Sequence, residues 1–128
     1  MRWAAAETAA DADRASAFTP YLTIDKDGKV MVLSSQFEMG QGSYNGLATL
    51  VAEELDADWD SIDVRGVAGN VKAYGNVAFG GAIQGTGGST SMVTSWERYR
   101  KAGAAARAML VAAAASQWGV QAEEITVS

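Results

Sequence analysis

The chain has 128 residues, 48% of them hydrophobic and 20% charged, with 15 acidic against 10 basic side chains and a formal net charge of −5. That is the length of one domain with an ordinary globular composition, and the scattered basic residues (Arg65, Lys72, Arg98, Arg100, Lys101 and Arg107 among them) form no stripe that could track a nucleic-acid backbone. Cysteine and histidine are both absent, which excludes disulfides, thiolate and imidazole catalysis and the usual zinc and iron–sulfur ligands.

Residues 1–20 are rich in Ala, Asp and Thr without an apolar core, so they read as a flexible or helical lead-in rather than a signal peptide, ahead of a folded lobe at 21–128. Two β-rich runs, 21–25 and 29–35, flank Asp27-Gly28, a strong hairpin signal. After the loop Glu38-Met39-Gly40-Gln41-Gly42, the residues Tyr44, Leu47, Ala48, Val51 and Leu55 fall on one face of a helix over 43–57, with Ser43 as N-cap. Ile62, Val64 and Val67 predict a third strand at 61–67. Eight of the 14 glycines then fall in 66–88, a density expected of a functional or mobile loop.

A second helix is predicted over 91–118, with a buried stripe of Met92, Trp96, Tyr99, Gly103, Ala106, Leu110 and Ala113. A Glu97–Lys101 pair is expected on its outer face, and Gly119 as its terminator. A last strand is predicted at 124–127. The four tryptophans, Trp3, Trp59, Trp96 and Trp118, are expected to be packing residues. The fold class is therefore α/β (α+β), a two-layer ββαβαβ domain whose mixed four-stranded sheet carries two helices on one face. No stretch approaches the ~18 apolar residues that cross a bilayer, so no membrane is an expected partner; the scattered basic residues make a nucleic acid no expected partner either, and the expected location is cytoplasmic, or periplasmic for a full-length parent.

Two segments carry chemistry. Gly40-Gln41-Gly42 opens the first helix, and Gln84-Gly85-Thr86-Gly87-Gly88-Ser89-Thr90-Ser91 opens the second. A helix N-terminus offers unpaired N–H donors and the positive end of the dipole, which suits an anion. The same residues also serve as ordinary caps and turns. Neither segment is a P-loop or a dinucleotide fingerprint.

Taken together, Glu38-Met39-Gly40-Gln41-Gly42, the following Val51-Ala52-Glu53-Glu54-Leu55 and Thr86–Ser91 resemble the xanthine dehydrogenase and aldehyde oxidase family. The likeness is closest to isoquinoline 1-oxidoreductase-like large subunits and runs from about Tyr21 to Ser128. It implies a molybdopterin-binding lobe, the cofactor being a cytosine dinucleotide in a full-length parent. Gln41 would meet the pyranopterin or its phosphate, with Gly40 and Gly42 allowing close approach. Ser89, Thr90 and Ser91 would supply hydroxyl and backbone contacts, and Gly87 and Gly88 would leave room beside the molybdenum. The implied partners are the remaining lobes of a large subunit and an iron–sulfur subunit, with a homodimer expected of the isolated chain. In the parent family the cofactor oxidises aldehydes or N-heterocycles, and a glutamate in a Gly-x-Gly-Glu motif acts as base.

The chain has no such motif, and it carries Tyr44-Asn45 where many members have His-Thr. No catalytic residue is assigned, and the chain alone is not expected to turn over substrate. Two other readings stay open: a self-associating module that has kept the fold and lost the cofactor, and a small phosphate- or nucleotide-binding protein.

Overall fold

The computed structural model describes residues 16–127. The chain runs β1 (Ser16–Thr19), β2 (Leu22–Ile24), β3 (Val30–Ser34), α1 (Ser43–Leu55), β4 (Ile62–Gly66), α2 (Val71–Tyr74) and α3 (Ser91–Trp118). The four strands form one mixed sheet in the order β1-β2-β3-β4. The first two pairings are antiparallel, and β3 with β4 is parallel in the register Val30↔Ile62 to Ser34↔Gly66. Parallel neighbours need a crossover, and α1 supplies it. The β2–β3 turn forms where Asp27-Gly28 indicated: Gly28 has φ +81°, and the Asp25 carboxylate accepts from the Asp27 and Lys29 amides, both at 2.9 Å.

One face of the sheet is covered by α1 and α3. Leu22, Val30 and Val32 meet Leu47, Leu50, Val51 and Leu55 of α1 and Tyr99, Ala102 and Ala106 of α3. The two helices approach closely because Gly103 faces α1: a Cβ there would lie 2.8 Å from the Val51 carbonyl oxygen. Tyr99 ties α3 to the sheet, its hydroxyl donating to Leu33 O (2.8 Å) and accepting from the Ser35 amide (2.7 Å).

Several expectations need correction. The predicted strand at 124–127 is absent. A 3₁₀ turn, Ala122–Glu124, stands at its start, closed by reciprocal bonds between Gln121 and Glu124, and only Ile125 among 121–127 is half-buried, so no alternating face exists to pair. The fourth strand is β1, inside the segment expected to be a lead-in; residues 1–15 of that lead-in lie outside the described residues.

Helix α1 stops at Leu55 because Asp56 turns left-handed at φ +55°, and its N-cap is Gly42 rather than Ser43. On α3 the buried stripe is Ser95, Tyr99, Ala102, Gly103, Ala106 and Ala115, while Leu110 and Ala113 are exposed. The cause is length: α3 has 28 residues against 13 in α1, so it runs roughly 20 Å beyond its partner helix. Trp59, Trp96 and Trp118 are half or more exposed (50%, 50% and 66%), so none of these three is a core residue, while Trp3 lies outside the described residues.

The glycine-rich segment between β4 and α3 is not a bare loop. It contains α2 and a 3₁₀ turn at Val77–Phe79. Buried Asn76 donates to Gly85 O and Thr90 Oγ1, Gln84 reaches Ser35 O and Val67 O, and Arg98 holds Gly75 O.

Candidate functional site

Strand β3 delivers its C-terminal end to the site. Past Ser34 the chain stays buried through Ser35 and Gln36 before emerging as the first loop. In that loop Glu38 folds back over the start of α1. One carboxylate oxygen accepts from the Gly40 (2.7 Å) and Gly42 (3.0 Å) amides, and the other accepts from the Tyr44 amide (3.0 Å). These bonds, that of Tyr44 foremost and then that of Gly42, favour the charged form and hold the Glu38 carboxyl below the ordinary range. The N-terminus of α1 is therefore already occupied by a negative charge.

Gln41 braces the same loop. Its amide oxygen accepts from the Met39 amide (2.6 Å), and its nitrogen donates to Phe37 O (2.6 Å) and Ser43 Oγ (2.9 Å). Both Nε2 hydrogens are thus used, and what the side chain has left for a ligand is an oxygen lone pair.

The N-terminus of α3 is built differently. Thr90 stands at the N-cap without a side-chain cap. Its hydroxyl donates to Gly87 O (2.7 Å) and accepts from Asn76 Nδ2 (2.8 Å). The N–H groups of Ser91, Met92 and Val93 meet no acceptor among the described residues, so this end keeps its donors and its dipole. Ser89, at φ +58°, is exposed, and its hydroxyl also has no partner among the described residues.

These two helix starts face each other across a cleft of about 480 Å³. Its walls are Met39, Gln41, Gly42, Ser43 and Gly46 on one side and Thr86, Gly87, Ser89, Ser91 and Met92 on the other. Of the residues singled out from sequence, Gln41, Gly42, Gly87, Ser89 and Ser91 line it, whereas Gly40, Gly88 and Thr90 shape the loops from behind. Gly40, Gly42 and Gly88 have positive φ, which their turns require. Gly87 has no such reason, and nothing lies within 4 Å of where its Cβ would be, so the space beside it is open.

Sequence reading missed Gln36. It is 2% exposed, and its amide oxygen accepts from both Thr86 Oγ1 and Ser91 Oγ, each at 3.1 Å, linking the two loops from beneath. A lone polar residue after a strand gives no signal of that role. No group of acidic residues that could hold a metal ion occurs among the described residues.

Comparison with known proteins shows the family. The family model described as "Molybdopterin cofactor-binding domain" matches residues 4–128. The chain is 38% identical over 125 residues to isoquinoline 1-oxidoreductase subunit beta of Brevundimonas diminuta, covering 95% of this chain and 16% of that protein. It is 33% identical over 114 residues to the membrane-bound aldehyde dehydrogenase [pyrroloquinoline-quinone] of Gluconacetobacter polyoxogenes, covering 88% of this chain and 14% of that one. The chain thus spans about a sixth of the length of these relatives. No helix among the described residues is long and apolar enough to cross a membrane.

Proposed function

Because this chain belongs to the molybdopterin cofactor-binding domain family, we propose that the cleft between the starts of α1 and α3 holds one side of a molybdopterin, within a larger aldehyde- or N-heterocycle-oxidising subunit. The observation that carries this reading is the meeting of two helix N-termini of opposite character across one cleft. The Glu38 carboxylate closes α1, while α3 keeps the free N–H groups of Ser91, Met92 and Val93.

The donor set fits the group. A phosphate is drawn to the uncapped start of α3, with Ser89 Oγ as a further donor, and is turned away from α1 by Glu38. Met39, Gln41 and Gly42 would then be left to hold the pterin ring, and the space at Gly87 is open for the cofactor. When bound, the cofactor supplies the redox chemistry; this chain binds and orients it. Gly40, Gly88 and Thr90 set the loop geometry. The cytosine dinucleotide form is the finer part of the proposal. So are the remaining lobes of a large subunit and an iron–sulfur subunit as partners, and self-association of the isolated chain.

The test is a titration of the ¹⁵N-labelled chain with a pterin. Saturable shifts confined to residues 39–46 and 86–92 are the expected result. No shifts at millimolar pterin, or shifts elsewhere, would overturn the proposal. One lobe gives half an enclosure, so millimolar affinity is the scale to probe.

A further inference from the structure

Gln36 fixes which way the hydroxyls of the second loop point. A hydroxyl has one proton to give. Thr86 Oγ1 and Ser91 Oγ both give theirs to the Gln36 amide oxygen, and Thr86 Oγ1 also accepts from the Phe37 amide at 2.8 Å. Ser91 therefore meets the cleft with lone pairs only. On the opposite wall Gln41 has its amide hydrogens committed within its own loop, and it too has only oxygen lone pairs left.

Resting on the molybdopterin reading above, we infer that Gln36 is a positioning residue that makes the side chain of Ser91 a hydrogen-bond acceptor, matching the acceptor that Gln41 presents from the opposite wall. The cleft thereby selects a ligand edge rich in N–H donors, such as an amino-substituted heterocycle, while anion contacts fall to the backbone of α3 and the Ser89 hydroxyl. The Ser91 hydroxyl is then a heterocycle contact and not a phosphate donor. The residue is 2% exposed, and its amide oxygen is held between these two hydroxyls.

Two substitutions and two probes decide it. Ser91→Ala removes the acceptor, and Gln36→Met keeps the side chain's size while freeing both hydroxyl protons. Each is expected to weaken pterin binding about three- to tenfold, the range for one neutral hydrogen bond. Ser91→Ala should leave inorganic pyrophosphate within about twofold by the same reckoning, and Gln36→Met should tighten it. In the unsubstituted chain without ligand, the Ser91 and Thr86 hydroxyl protons should exchange slowly and show contacts to the Gln36 side chain; Gln36→Met should release them.

Weaker pyrophosphate binding in Ser91→Ala, or pterin binding indifferent to both substitutions, overturns this inference and leaves the cofactor reading standing. Fast-exchanging hydroxyls in the unsubstituted chain overturn it also, without any ligand. Binding of neither probe to the unsubstituted chain overturns both.

Discussion

The Glu38 carboxylate has a lowered folded pKa because three backbone amides donate to it. A depressed carboxyl contributes stability that is present above its unfolded pKa and is lost as pH falls through the folded one. Glu38→Gln should therefore unfold at lower temperature than the natural chain at pH 7, and the gap should close as pH drops below the ordinary glutamate range. Paired thermal melts check this, and a gap independent of pH would refute it. Gly87→Ala should be nearly silent in the same melts, within about 0.5 kcal/mol as for surface changes generally, yet reduce pterin-induced shifts at residues 86–92. The glycines, Gln41 and the serines were visible in the sequence because they recur at fixed offsets from helix starts. Gln36 was not, because a buried amide whose two partners lie 50 and 55 residues away leaves no local pattern.

Among the elements, the hairpin, α1, β4 and α3 were legible because each has a period or a turn residue of its own: Asp27-Gly28, the α1 stripe, Ile62 and Val64, and Gly119. What failed was tertiary. Nothing local in Glu124–Val127 says that no strand edge receives it, and nothing in Leu110 says that α3 has outrun α1.

The α3 contacts can be tested. A Cβ on Gly103 would press on the Val51 carbonyl; overpacking of this kind costs about 1–3 kcal/mol, and alanine's helix preference returns about 1 kcal/mol. Gly103→Ala is thus expected to be a net loss of about 1 kcal/mol, or roughly 3–5 °C in melting temperature; an increase would show that the helices can part without cost. At the other contact, burial pushes the Tyr99 phenol up to about 12 from an ordinary 10.0. A raised pKa gives stability that is full below the unfolded value and lost as pH rises through the folded one. The natural chain should lose on the order of 2–3 kcal/mol across that alkaline window. Tyr99→Phe should lack this term, while losing about 1–3 kcal/mol at pH 7 through the unpaired Ser35 amide.

For the whole molecule, the question is what covers the far half of α3. Met31 and Leu33 alternate with Val30 and Val32 along β3, so they turn to the sheet face that α1 and α3 leave open. In the fold Met31 and Leu33 are half-buried and stand beside exposed Asp63 and Arg65 in the parallel register, so the apolar groups there are flanked by charge. Exposed apolar side chains also lie along the far half of α3, where Met109 and Leu110 are 52% and 43% exposed and Trp118 and Val120 follow at 66% and 39%. Surfaces of this kind mark partner sites. In a longer subunit the partner would be another lobe; for the isolated chain the available partner is a second copy, and twofold closure is the commonest arrangement. Sedimentation at micromolar concentration should therefore give a concentration-dependent dimer. Leu110→Glu with Met109→Lys should return a monomer, since two unpaired charges would have to be desolvated in the contact, and the melt of the lobe itself should hardly change because both side chains already face solvent. A dimer that survives both substitutions would move the contact to another face. A monomer in the natural chain would mean that this surface tolerates water without a second copy.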